Sequence, residues 1–112
     1  MKNNSVTHDS LEELVKTFLK FSQKRGWDKQ YTPNQLAKAL IIESAELLEL
    51  FQRKDDKGSF KVAREKKTDV SYELVDVLYY TLMMAHICGI DLVEATKKKL
   101  KVLAKRYPAN LR

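Results

Sequence analysis

Glycine and proline are scarce in this chain, three and two residues respectively, which argues against a many-turned β fold and against a low-complexity disordered segment. Cysteine is scarcer still. The single Cys88 cannot form an internal disulfide, and its neighbours Met83, Met84, Ala85 and Ile87 predict a small core residue rather than a reactive thiol. No apolar run approaches the ~18–20 residues that span a membrane, and residues 1–10 are polar where a signal peptide would be apolar. The expectation is a cytoplasmic protein with no membrane partner. Cys/His spacings typical of zinc are missing too: His8 falls in the expected tail and His86 stands alone.

What is present is apolar and charged residues in helical proportion, 44% hydrophobic and 32% charged over 112 residues. That length fits one domain, with residues 1–9 expected as a flexible tail. The predicted fold class is all-α, a four-helix-bundle-like arrangement. Lys and Arg number 21 against 15 Asp and Glu, a formal charge of +6 that suits an anionic partner without choosing among nucleic acid, a phosphorylated metabolite and an acidic surface. The densest basic stretch, Lys97, Lys98, Lys99, Lys101, Lys105 and Arg106, reads by default as a solvated helix face.

Helix boundaries are written in capping residues. Ser10 with Glu13 forms a capping-box pattern, and Leu11, Leu14, Val15, Phe18 and Phe21 follow at helical spacing, so a first helix should run from Leu11 to about Lys24 and stop near Gly26. Thr32, Pro33 and Gln35 open a second, expected to last to about Gln52. Residues 53–68 are polar, contain Asp55, Asp56, Gly58 and Ser59, and read as a mobile loop with room for a short helical piece around Phe60–Arg64. A third helix from about Ser71 to Cys88 should end at Gly89, and Asp91 with Glu94 opens a fourth that lasts until Pro108.

Turning 100° per residue places Leu36, Leu40, Leu47, Leu48 and Phe51 on one face of the second helix, with Glu43 at its edge, Glu46 a step further out and Glu49 pointing the other way. On the third helix Glu73 and Asp76 share a stripe with Val77, Tyr80, Met84 and Ile87, so acids stand where core residues belong. Either acidic pair alone is the ordinary pattern of a solvated, lysine-paired face. Two pairs on consecutive long helices, both straddling an apolar edge, instead require positive charge between them, because a buried unpaired carboxylate costs several kcal/mol. A hard divalent cation such as Mg2+ meets that requirement with oxygen ligands, which makes Glu43, Glu46, Glu73 and Asp76 the candidate metal ligands.

Glu43-Ser-Ala-Glu46 followed by Glu73-Leu-Val-Asp76 resembles the ExxE…ExxD signature of the MazG-like nucleoside triphosphate pyrophosphohydrolases. Trp27, Thr32-Pro33, Leu36, the run from Glu46 to Gln52, Asp76-Val77-Leu78-Tyr79-Tyr80, Gly89-Ile90-Asp91-Leu92 and Arg106-Tyr107-Pro108 are similar to the small single-domain branch that includes the dCTP pyrophosphatases. The resemblance implies an all-α enzyme that hydrolyses a nucleoside or deoxynucleoside triphosphate between the α and β phosphates. It implies Mg2+ as cofactor with Mn2+ as substitute, the four carboxylates as catalytic ligands, and nucleotide-pool house-cleaning or pool-size control as purpose. Glu46 is the acid expected to accept the attacking water's proton.

By the same resemblance Trp27 stacks on the base, Tyr80 lies beside the sugar, and Lys99, Arg106 and Tyr107 serve the triphosphate end, although aromatic residues at helical spacing are ordinarily core. Tyr31, Arg53 and Leu103 depart from the branch, which has His, Trp and Asn there, and the departures touch base selectivity rather than the metal centre. A thin four-helix core, together with the resemblance, implies a homodimer or homotetramer. The rival reading is a non-catalytic basic helical module that binds nucleic acid or a protein partner through the Lys97–Arg106 face. It leaves the inward acids unexplained.

Overall fold

The computed structural model describes residues 10–109, and the expected tail at residues 1–9 lies outside them. Five helices make up the described chain, with no strand among the described residues: α1 Leu11–Gln23, α2 Pro33–Glu49, α3 Asp56–Glu65, α4 Lys67–Ile87 and α5 Leu92–Arg106. None of them alone is long and apolar enough to cross a membrane.

The predicted caps are in place. Ser10 Oγ accepts from Glu13 N, Thr32 Oγ1 from Gln35 N, and Asp91 Oδ1 from both Val93 N and Glu94 N, each satisfying amides that a helix start leaves orphaned. Gly26 and Gly89 close α1 and α4 at φ 71° and 67°, the left-handed backbone that costs glycine least.

The polar stretch 53–68 is more helical than expected: the piece anticipated around Phe60–Arg64 extends over Asp56–Glu65. Asp55 Oδ1 accepts from Gly58 N at 2.7 Å and starts α3, whose Val62 is buried, and α4 begins at Lys67, four residues before its expected start. A side-chain cap thus outweighed the low helix propensity of Gly58 and Ser59.

α4 is the centre of the fold, with α1, α2 and α3 packed against it and the α2–α4 seam the most extensive. Leu36, Leu82 and Met83 are almost fully buried there, worth about 1.5–3 kcal/mol each. Cys88, expected in the core, is exposed instead, because α4 has ended and the chain turns at Gly89. α5 leaves α4 at 100° and buries none of its residues. The consequence is an open shape, with a radius of gyration of 17.1 Å where a compact chain of this size has about 13 Å.

Candidate metal centre and nucleotide cleft

The α2–α4 seam is antiparallel, so Glu43 meets Asp76 and, one turn on, Glu46 meets Glu73. Glu43, Glu73 and Asp76 are half-buried and offer oxygens that all lie within 4.8 Å of one another. Glu46 is more exposed and stands beside Glu73.

Glu43 is held above the usual carboxylate range by burial first and then by the charges of Glu46 and Asp76. Glu73 is raised in the same way, by burial and then by Glu46 and Asp76. Glu49 adds to the effect on Glu73, so it does not point away from the centre as the helical wheel implied. The seam turns slowly around α2, and Glu49 lies only one turn beyond Glu46.

No cationic side chain among the described residues offsets this charge. Among the described residues the ion pairs are Glu12 with Lys16 and Glu94 with Lys97, both far along the chain from the seam. Ionised carboxylates cannot donate to one another, and Glu73 Oε2 is accordingly buried without a hydrogen-bond partner among the described residues. A site of this kind fits a hard divalent cation, which takes oxygen ligands: Glu43, Glu73 and Asp76 would hold it.

Two clefts open beside the acids, and Trp27 and Tyr80 line both. The first, about 420 Å³, is aromatic, with Phe18, Phe21, Trp27, Tyr79 and Tyr80 reaching Glu43 and Asp76 at its edge. The second, about 350 Å³, is lined by Trp27, Tyr80, Leu36, Ala39 and the polar side chains of Gln30, Tyr31 and Gln35. Trp27 is 41% exposed, held at the rim by its N–H bond to Ser22 O, rather than packed in the core. Burial, followed by the charge of Glu43, raises Tyr80.

A hydroxyl chain that sequence patterning did not reveal runs behind these clefts. Tyr31 Oη lies 2.9 Å from Tyr79 Oη, and Tyr79 Oη bonds the fully buried Ser22 Oγ. Burial and the Tyr79 bond push Tyr31 well above the ordinary tyrosine range, so it stays neutral and can donate. Ser22 was hidden in the polar positions of α1; only its place in the α1–α4 contact distinguishes it.

Lys99, Arg106 and Tyr107 are not brought to the carboxylates within one chain. All three are exposed on or just after α5, which leaves α4 at 100°, and the Arg106 guanidinium lies 5.9 Å from the ring of the adjacent Tyr107. Periodicity predicted the helix; nothing local to it predicted its direction.

With this geometry in view, residues 38–111 match the model of the MazG-like family. The chain belongs to that family. Two mammalian relatives, both named dCTP pyrophosphatase 1, align with this MazG-like chain over 104 residues, at 35% identity for Homo sapiens and 34% for Mus musculus. The alignment covers 91% of this chain but 61% of either relative, so the chain spans about three fifths of the length of these relatives. A crystal structure of a pyrophosphatase from Archaeoglobus fulgidus DSM 4304 superposes with a TM-score of 0.85 at 38% identity, covering 91% of this chain and 95% of that one. The all-α MazG-type fold is therefore shared along nearly the whole MazG-like chain.

Proposed function

We propose that this MazG-like chain is a divalent-cation-dependent pyrophosphohydrolase that converts a nucleoside or deoxynucleoside triphosphate into the monophosphate and pyrophosphate. The observation that carries the reading is the uncompensated acid group at the seam: Glu43, Glu73 and Asp76 offer oxygens within 4.8 Å of one another, and among the described residues no lysine or arginine pairs with them and Glu73 Oε2 is buried without a partner. The relatives called dCTP pyrophosphatase 1 and the Archaeoglobus pyrophosphatase point to the same chemistry.

Glu43, Glu73 and Asp76 would hold Mg2+, or Mn2+ in its place, with Glu46 beside them. A bound ion would polarise the phosphoryl oxygens, neutralise developing charge and acidify water. In hydrolysis the water oxygen bonds to the α-phosphorus while the bond from that phosphorus to the bridging oxygen breaks. Pyrophosphate departs with the bonding electron pair. Glu46, exposed beside Glu73, is placed to take the water's proton. Trp27 offers a face for base stacking and Tyr80 a wall for the sugar, both lining clefts that adjoin the acids.

The assembly proposed is a homodimer or homotetramer. Ile41 and Ile42 on α2, Leu74 and Val75 on α4, and Val93, Leu100 and Val102 on α5 are all 47% or more exposed, an apolar load that a second copy would cover. In such an assembly a neighbouring α5 would bring Lys99, Arg106 and Tyr107 towards the triphosphate.

The test is a panel of canonical and modified nucleoside triphosphates with Mg2+ or Mn2+, assayed for pyrophosphate and monophosphate together. Stoichiometric release of both supports the reading. Orthophosphate with diphosphate contradicts it.

A further inference from the structure

A cleft of about 870 Å³ begins at Glu46 and Glu73 and continues away from Trp27 and Tyr80. Its lining passes Glu49 and Asp69 and ends in three cations, Arg53, Lys54 and Lys66. The antiparallel register explains that order. Along α2 the numbers rise from Ala39 in the cleft with Trp27 and Tyr80, through Glu43 and Glu46, to Glu49, and the turn that follows the helix carries Arg53 and Lys54. Along α4 they fall in step, from Tyr80 through Asp76 and Glu73 to Asp69 and Lys66. At ~1.5 Å per residue along α4, Lys66 stands about 10 Å beyond Glu73.

The three cations are not spent on neighbours. None forms an ion pair among the described residues, although Glu49 and Asp69 line the same cleft. Lys66 is the N-cap residue of α4 yet makes no side-chain capping bond. The start of this 21-residue helix, at the same end of the cleft as Lys66, thus has no side-chain cap, and a helix start carries partial positive charge.

We propose that Lys54 and Lys66, supported by Arg53, form the subsite for the β- and γ-phosphates and hold the pyrophosphate group after cleavage. The proposal rests on the pyrophosphohydrolase reading and fixes the direction of the substrate: base at Trp27 and Tyr80, α-phosphate at the carboxylates, β and γ at the cations. Lysine suits this task, because its ammonium is a mobile point charge on a four-carbon stem and can follow a phosphate as it leaves. The acids between make the cleft hostile to an anion until divalent cations sit on them, so pyrophosphate and metal should bind together, each strengthening the other. Arg53 thereby acquires a role at the phosphate end, on the far side of the carboxylates from this chain's own Trp27.

Calorimetric titration with inorganic pyrophosphate and, separately, with a nucleoside monophosphate tests the subsite without turnover. In Mg2+, the Lys54→Met/Lys66→Met double variant should bind pyrophosphate about a hundredfold more weakly, roughly tenfold for each lost charge-assisted contact, with monophosphate affinity unchanged. Each single variant should fall between. Lys16→Met on α1, which removes a charge elsewhere, should leave both affinities unchanged. In EDTA the wild type should not bind pyrophosphate. Equal losses for pyrophosphate and monophosphate, a loss no greater than that of Lys16→Met, or undiminished binding in EDTA would each overturn the proposal. Failure of the activity panel with intact pyrophosphate titrations would instead count against the hydrolase reading alone.

Discussion

Glu43 and Asp76 face each other across the antiparallel α2–α4 seam with carboxylate oxygens within 4.8 Å, and no cationic side chain among the described residues pairs with either. A fold that places two like charges together without an internal counterion is destabilised until one is supplied. Asp76→Asn should therefore raise the melting temperature in EDTA by about a few degrees, since it removes repulsion and leaves the shape unchanged. The same substitution should abolish the Mg2+-dependent rise in melting temperature that the wild type shows, and cut pyrophosphate release by orders of magnitude. Differential scanning calorimetry with and without Mg2+ separates the two effects. A lower melting temperature in EDTA would contradict the repulsion argument.

The pH dependence should run opposite to that of a typical acid-labile protein. Glu43 and Glu73 are raised above their ordinary value of 4.5 by burial and neighbouring carboxylates, so the folded chain binds protons more tightly than the unfolded one. Stability contributed by their protonation is fully present below the unfolded value and is lost as pH rises through the raised one. In EDTA the protein should become more stable as pH falls from neutrality towards about 4.5. In saturating Mg2+ the trend should flatten or reverse, because protons then compete with the ion for the same oxygens. Urea unfolding at several pH values, with and without metal, gives both slopes.

Much of the fold was legible because helix ends are local events. Ser10, Thr32 and Asp91 each announce a start that the backbone then takes, and Gly26 and Gly89 announce the stops. α3 was legible only in part: the helical piece expected around Phe60–Arg64 is there, but its start at Asp56 rests on one side-chain bond from Gly58 N to Asp55 in a stretch of poor helix formers. The acids were recognisable as an inconsistency of pattern, but Glu49 was misplaced because a helical wheel ignores how a long seam winds around its helix. Cys88, Lys99, Arg106 and Tyr107 depend on where the chain goes after Gly89, and the 100° turn there has no signature in spacing.

Trp27 is the only tryptophan, so its fluorescence reports directly on the clefts it lines. A nucleotide that stacks on it should quench or shift that emission, saturating with substrate. Trp27→Phe should raise KM several-fold with kcat little changed, and Trp27→Ala about tenfold or more, as a stacked base is worth ~1–3 kcal/mol. The fold should survive either change because the indole is 41% exposed. Loss of kcat with KM unchanged would remove Trp27 from the base site.

Tyr79 links Tyr31 to the fully buried Ser22 through hydroxyl bonds while its ring meets Phe18, Tyr31 and Tyr80 edge-on. Tyr79→Phe keeps those ring contacts and removes only the hydroxyl. It should cost about 1–3 kcal/mol, since Ser22 is left buried without its oxygen partner. Ser22→Ala in the same background should recover part of that loss, a non-additivity that a double-mutant cycle by urea unfolding measures. Independent, additive effects would mean that the hydroxyls do not act as one chain.

The last prediction follows from α5, which turns 100° from α4 and has no fully buried residue. If a neighbouring copy receives it, light scattering should give a multiple of 13.0 kDa. Ile42→Glu, a change at a 57% exposed position that should be nearly neutral in a monomer, should then dissociate the assembly and lower activity. If Arg106 acts at the carboxylates, it must reach those of a neighbouring copy, since α5 does not bring it to its own. Glu73→Gln and Arg106→Ala subunits, each inactive alone, should regain pyrophosphate release when unfolded and refolded together only if the carboxylates and Arg106 of a single site come from different chains. Mixed assemblies then contain some sites with both residues intact, whereas a site built within one chain would stay broken in every combination.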